Sequence, residues 1–335
     1  MDQVYVIDSV YHMYISILLS YENKRANKKT LLIINVEGTE GIDAYLDPLK
    51  QLTTFEDVIG VKGASAVLAL KKDANKFDSF FRRSSTLKKM FEEINPHINK
   101  YHDFISKAEI NLFHIIMSKA YFLVKFPKNK FRMLEEGIGT YTKKPRKFRR
   151  FKRKVMGFPQ LMGYDKQVKE ILVQNPEKMI DTKLRSKSHK LDLEYLLNRL
   201  SDTEKRAIIS AFNLEDLDVY SNKKKVLILT QPLIKSGFKV TPEEMISIYK
   251  KFIDNALSKD MEVYFKLHPR EEIDYKSVFE NEKIKIIPNL IPIEILNMDS
   301  SIYFDEAYTI CSGAIFNLKH VGEIHFLGMD YLDRK

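Results

Sequence analysis

Cysteine is almost missing from this chain of 335 residues. The one thiol, Cys311, excludes an intrachain disulfide framework and fits a reducing cytosol. Long apolar runs are missing too, and none is long enough to span a bilayer. The first segment, MDQVYVIDSVYHMYISILLSY, has no basic start and carries polar residues throughout. It reads as a strand followed by a helix, not as an export signal. The eight histidines are scattered, without paired helical spacing or cysteine partners, which argues against a structural zinc site. No G-x-G-x-x-G follows the first predicted strand and no G-x-x-x-x-G-K-[ST] occurs anywhere, which disfavours dinucleotide redox chemistry and P-loop phosphoryl transfer. No D-x-D-type cluster flanked by β-favouring residues stands in the first half, so no metal-bridged pyrophosphate is suggested. An RNP run and a Cys/His finger are also missing, which weighs against a nucleic-acid reader.

What is present describes a soluble, core-forming protein: 44% hydrophobic residues and 30% charged ones. The length suits two domains of ordinary size, or one large one. The formal net charge is +10, and much of the excess lies in KKPRKFRRFKRK, Lys143 to Lys154, with Phe148 and Phe151 interleaved. Such a run is either a solvated face or a contact for an anionic partner: nucleic acid, an acidic membrane leaflet or an acidic polymer.

The first half alternates strands with helices. VYVID and TLLIINV read as strands, the second buried on both faces. SVYHMYISILLSY reads as a helix capped by Ser9. YHDFIS reads as a weaker strand, EINLFHIIMSKAYFLV as a helix and FRML as a strand. The stretch from Phe158 to Ser221 is polar and helix-favouring and reads as an interdomain connection. A second alternating series follows: strand Val226 to Thr230, a helix opened by Thr241 and Pro242, strands EVYFKLHP and IKIIP, a short helix IPIEIL, strand SIYFDEAYTIC, a helix SGAIFNLKHVG and strand EIHFLG. The expected fold class is α/β, with two Rossmann-like doubly wound domains facing a cleft. The expected boundaries are 1–175, a helical connection 176–221, and 222–335. Ligands of open α/β sheets bind beyond the carboxyl ends of the strands.

Three motifs stand at predicted strand ends. Glu135-Glu136-Gly137 follows FRML; a carboxylate beside a turn-forming glycine could act as a general base, or simply begin a polar loop. Successive residues of a strand point to opposite sides, so one glutamate of the two is expected to face the site. His268-Pro269, in KLHPRE, follows the strand VYFKL. An imidazolium there could donate to a phosphate, with charge added by Lys266 or Arg270; the plainer reading is a loop histidine. Ser312-Gly313, after Cys311, could cap a helix and also bind phosphate at its N-terminus. Cys311 is expected to pack and not to react. Together these place a base in the first domain and nucleotide phosphate contacts in the second, the layout of a sugar transferase.

The ordered motifs resemble those of bacterial sialyltransferases of the polysialyltransferase and lipooligosaccharide sialyltransferase type. Those enzymes carry an acidic-acidic-glycine motif, a His-Pro motif and a Ser-Ser or Ser-Thr motif. The resemblance runs over most of the chain in its strand and motif order. It implies a B-type (GT-B) glycosyltransferase fold, a CMP-sialic acid donor, inversion, and no cofactor or metal. It implies Glu136 as general base, with Glu135 and Gly137 on the acceptor side. It implies His268, with Pro269, as stabiliser of the leaving phosphate, and Ser312 with Gly313 as phosphate contacts. Glu294, in IPIEIL, would hold a ribose hydroxyl. One departure stands out: Cys311 occupies the first hydroxyl position of the third motif and removes a phosphate donor. The implied partners are the nucleotide sugar and a lipid-linked glycan acceptor of capsule, O-antigen or lipooligosaccharide type, with no nucleic acid. The implied location is cytoplasmic, with residues 143–154 attaching to the anionic inner membrane face at about 1 kcal/mol per basic residue. Another CMP- or UDP-activated sugar is the alternative donor.

Overall fold

β-Branched and aromatic runs form the strands of two all-parallel sheets in the computed structural model, which describes residues 1–72, 79–142, 147–155, 158–217, 219–235, 237–280 and 283–333. The chain divides into two units, Met1–Ser201 and Asp202–Lys335.

The first unit carries β1 (Gln3–Ile7), β2 (Thr30–Asn35), β3 (Asp57–Val61), β4 (Glu109–Phe113), β5 (Phe131–Leu134), β6 (Val168–Val173) and β7 (Ser188–Lys190). Their spatial order is β3-β2-β1-β4-β5-β6-β7. β1 and β2 are buried at every position, so both faces are covered, as crossover helices require. The helix Val10–Arg25 opens on Ser9, whose hydroxyl accepts the His12 N–H at 3.3 Å. On one face of the sheet Phe91 stacks on Tyr121 at 3.9 Å between ring centres, beside Phe122 and Phe126.

The second unit carries β8 (Lys225–Leu229), β9 (Glu262–Lys266), β10 (Ile284–Ile287), β11 (Phe304–Thr309) and β12 (Val321–Phe326), in the order β10-β9-β8-β11-β12. Thr241 and Glu244 form a reciprocal capping box that starts the helix Pro242–Ser258. That helix buries Tyr249 edge-on against Phe265 and Tyr275.

Both units are thus Rossmann-like, as expected. In each sheet the chain reverses its direction of travel once, between β1 and β4 and between β8 and β11. Those reversal points are where an open α/β sheet binds ligand.

Several expected elements differ. Residues 109–124 are not one helix: Glu109–Phe113 is β4, followed by a 3-10 turn at Met117–Lys119 and a helix Ala120–Lys125. The apolar run fits both periods, and pairing between β1 and β5 decides it. YHDFIS is not a strand but part of a 3-10 turn and the helix His102–Lys107. The expected connection 176–221 is divided between the units, because β6 and β7 extend the first sheet through residue 190. SGAIFNLKHVG forms only a 3-10 turn, Gly313–Asn317, before β12 begins at Val321. IPIEIL is likewise 3-10, Ile293–Met298. Among the described residues no helix is long and apolar enough to cross a membrane.

Candidate active site

In the first unit the chain leaves β5 at Glu135 and Glu136, and the two side chains part as strand geometry dictates. Glu135 is 4% exposed. Its carboxylate accepts from the Gln174 backbone N–H at 2.7 Å, from Gln174 Nε2 at 3.2 Å and from the Tyr141 hydroxyl. It therefore pins the loop after β6 to the exit of β5, and the bonds it makes among the described residues are internal. Glu136 is more open, its side chain 36% exposed, with Oε2 3.1 Å from His114 Nδ1. Its backbone N–H donates to Thr140 Oγ1 at 2.9 Å. Gly137 has φ +127°, and a Cβ there would meet nothing within 4 Å, so the turn is open on that side.

Beside this pair lies a buried charged group at the β1–β4 reversal point. Lys119 Nζ sits 3.0 Å from Asp8 Oδ2 and donates to the Phe113 carbonyl. His12 Nδ1 lies 2.7 Å from Asp8 Oδ1, and its ring stacks on Phe113 at 4.3 Å. Burial works against ionising Asp8, but Lys119 and His12 outweigh it and hold its carboxyl well below the usual range. Burial pulls His12 below its ordinary value, so it is neutral near pH 7. A Cβ on Gly38 would fall 2.3 Å from the Asp8 Cβ; only glycine lets the loop after β2 close over this strand end.

In the second unit His268, Thr230 and Ser312 follow the ends of the adjacent strands β9, β8 and β11. The His268 backbone N–H donates to Thr230 Oγ1 at 2.8 Å, and the Arg270 N–H donates to His268 Nδ1 at 3.0 Å. Nδ1 is thus an acceptor, so the ring proton resides on Nε2. Burial, then Arg270 and Lys266, push the imidazole down to about 4. The group is a neutral Nε2–H donor at pH 7, not the imidazolium expected from the sequence. Pro269 is half-buried beside it. The Thr230 hydroxyl also bonds Glu271, whose backbone N–H closes a turn onto the His268 carbonyl at 3.0 Å.

Ser312 is 6% exposed, and its N–H donates to Thr309 Oγ1 at 3.1 Å. The 3-10 turn that follows is too short to supply a helix dipole, so an anion here would rely on the hydroxyl and on loop N–H groups, including that of Gly313. Cys311 is half-buried, and burial pushes its thiol up, as suits a packing role. Lys266 is spent inside the fold: its Nζ donates to the Leu267 and Asn289 carbonyls at 2.8 and 3.1 Å. Burial lowers it to about 7. Glu294 is buried and accepts from Asn317 Nδ2 at 2.8 Å, tying its segment to the loop that carries Ser312. Burial raises its carboxyl above the usual range.

The basic run is described only in part, because residues 143–146 lie outside the described residues. Lys147–Val155 is a helix. Phe148, Phe151 and Val155, spaced by three and four, form an exposed stripe, the first two 78% and 65% exposed. The Arg150 guanidinium stacks over the Tyr164 ring at 3.5 Å.

Sequence reasoning missed Asp8, His12, His114, Lys119 and Thr230. A polar residue directly after a buried strand was the available signal for Asp8 and Thr230. His114 and Lys119 were hidden inside a segment read as helix.

The sequence model of glycosyltransferase family 52 matches residues 48–329. An uncharacterized protein of Haemophilus influenzae is 28% identical over 219 residues, 64% of this chain and 69% of its own. Among solved structures, an α/β-galactoside α-2,3-sialyltransferase from Photobacterium phosphoreum aligns with a TM-score of 0.57 at 14% identity, covering 97% of this chain and 90% of that one. The GT-B domain of a sialyltransferase from Photobacterium damselae aligns with a TM-score of 0.54 at 12% identity, covering the same shares, 97% and 90%. At such identities these structures establish the shared GT-B fold.

Proposed function

The chain belongs to glycosyltransferase family 52, and from that premise we propose that it moves sialic acid from CMP-sialic acid to a hydroxyl of a bacterial cell-surface glycan, with inversion and without a metal. A glycosyltransferase takes a nucleotide-sugar donor and a glycan acceptor; the choice of CMP-sialic acid follows the motif order and the sialyltransferase folds it resembles. The observation that carries the reading is the fixed tautomer of His268. A neutral Nε2–H at the end of β9 suits the non-bridging oxygens of a single phosphate.

In the proposed reaction the bond from the tertiary anomeric carbon to the CMP phosphate breaks, and its electron pair stays on the phosphate oxygen. His268 Nε2–H and the Ser312 hydroxyl stabilise that growing charge. The acceptor oxygen bonds to the opposite face of the carbon, and Glu136 takes its proton. One phosphate departs and not a pyrophosphate, so the chemistry asks for no bridging cation.

Nucleotide release from a panel of CMP-, UDP- and GDP-sugars tests the assignment. CMP release from CMP-sialic acid with a sialylated product supports it; turnover of UDP-sugars alone overturns it.

The helix Lys147–Val155 supports a second part of the proposal: its apolar stripe enters the headgroup region of an anionic membrane, where the lipid-linked acceptor resides. The protein should then sediment with phosphatidylglycerol vesicles and not with phosphatidylcholine vesicles. Phe148→Ser with Phe151→Ser should abolish that, while donor turnover on a soluble acceptor persists. Unchanged sedimentation of the double variant would remove the helix from the account.

A further inference from the structure

The Glu136 carboxylate lies with Oε2 3.1 Å from His114 Nδ1. That oxygen is buried, and no conventional hydrogen bond reaches it from the described residues. His114 itself stands in an unusual place. It follows β4 directly, at φ +36°, in the left-handed region that L residues other than Asn, Asp and His seldom occupy.

The surrounding structure holds that conformation from several sides. Lys119 Nζ grips the carbonyl of the preceding Phe113 while paired to Asp8 at the end of β1. The His12 ring lies flat on Phe113. The carbonyl of the following Ile115 accepts the Met162 N–H at 3.1 Å. Met162 lies within a second left-handed run, Leu161, Met162 and Gly163, at φ 69°, 50° and 83°. The Asp165 carboxylate fixes that run by accepting the Gln160 and Leu161 N–H groups at 2.7 and 3.0 Å. Backbone strain that the surroundings over-determine is found where geometry must be kept.

We propose that His114 is the positioning residue of Glu136, held in register by a buried Asp8–Lys119 clamp at the exit of β4. The inference rests on Glu136 being the base of the proposed transfer. The His114 ring, 3.1 Å from Oε2 at Nδ1, bounds one side of the carboxylate and leaves Oε1 to take the acceptor proton. Lys119 and His12, which also feel the Glu136 charge, act from behind the same turn. Without His114 the carboxylate swings between rotamers, and the chemical step slows while donor binding stays.

Two measurements test this. The first needs no turnover. In protein labelled with 15N-histidine, the His114 nitrogens are assigned by their loss in His114→Asn. Glu136→Gln should move the Nδ1 signal; an unmoved signal overturns the contact. The second is kinetic, with whichever nucleotide sugar the wild type uses. His114→Ala should lower kcat roughly 10²-fold, with little change in donor KM. His114→Asn, which tolerates a left-handed backbone and places an amide N–H near the position of Nδ1, should recover most of that loss. In the Glu136→Gln background, His114→Ala should cost less than about three-fold more, because the group it positions is gone. Full additivity, or Asn behaving like Ala, overturns the positioning role. A wild type that turns over no CMP-sugar defeats the proposed donor, whereas a turning-over wild type matched by His114→Ala defeats only this inference.

Discussion

Two buried lysines, Lys119 in the first unit and Lys266 in the second, lie towards the carboxyl ends of strands, and they are used differently. Lys119 lies 3.0 Å from the carboxylate of Asp8. Among the described residues, Lys266 has only backbone carbonyls within hydrogen-bond reach, and burial lowers it to about 7. The first unit balances charge inside the fold and can then present a further carboxylate, Glu136, beside it. The second unit keeps its strand ends close to neutral: His268 is uncharged, and its turn is built from N–H and hydroxyl contacts. A base needs its charge steadied, while an anion site needs donors left unspent. On the proposed function, the two strand-end clusters divide along that line.

The largest expected effect breaks the first half of the comparison. Lys119→Met strands the Asp8 charge, and urea unfolding should register a loss of about 3–5 kcal/mol. Adding Asp8→Asn should return a good part of it. If the single change proved harmless, the clamp would have no energetic content.

Next comes the donor in the second unit. His268→Ala should lower CMP release roughly 10²-fold, as removal of one preorganised donor does elsewhere. His268→Asn, which retains an N–H, should fall between the two. A rate equal to wild type in His268→Ala would leave the phosphate without its principal contact.

A smaller effect follows Lys266 by pH, although burial lowers Lys119 as well. Folded Lys266 gives up its proton near pH 7, whereas the unfolded chain holds it to about 10.5. Between those values the unfolded state binds more protons, so stability contributed at this site rises with pH. Wild type measured against Lys266→Met should therefore gain stability from pH 7 towards pH 10. A flat difference would mean that Lys266 is not desolvated as the fold implies.

The smallest expected shift concerns His268 itself. NMR titration should place its midpoint near 4. Because burial outweighs the neighbouring charges, Arg270→Gln should raise that midpoint only modestly. A midpoint near 6.5 in the wild type would show an imidazole in free contact with water.

The legible part of this molecule was whatever one strand and its next few residues can specify. Continuous β-branched runs marked β1, β2 and β8, and a carboxylate or histidine directly after such a run marked Glu136 and His268. The fold class followed from the same alternation. The strands at the far side of the first sheet were not legible: β6, VKEILV, which lies between β5 and the edge strand β7, has exposed or half-exposed charges between its apolar positions and resembles a helix face. β4 was lost for the opposite reason, as EINLF runs without a break into another apolar segment. With β4 misread, His114 and Lys119 had no strand end to belong to, and the Asp8–Lys119 pair joins residues far apart in sequence. Glu135 was visible as a carboxylate, but its commitment to Gln174 depends on β6 lying beside β5.

The most direct test of the division of labour follows two partial reactions of one donor. CMP release from CMP-sialic acid is measured without acceptor, and sialyl transfer is measured with it. The account predicts that Glu136→Gln keeps acceptor-free CMP release within a few-fold of wild type while transfer falls about 10³-fold, and that His268→Ala loses both. Undiminished transfer by Glu136→Gln, or equal loss of both reactions in that variant, would contradict it.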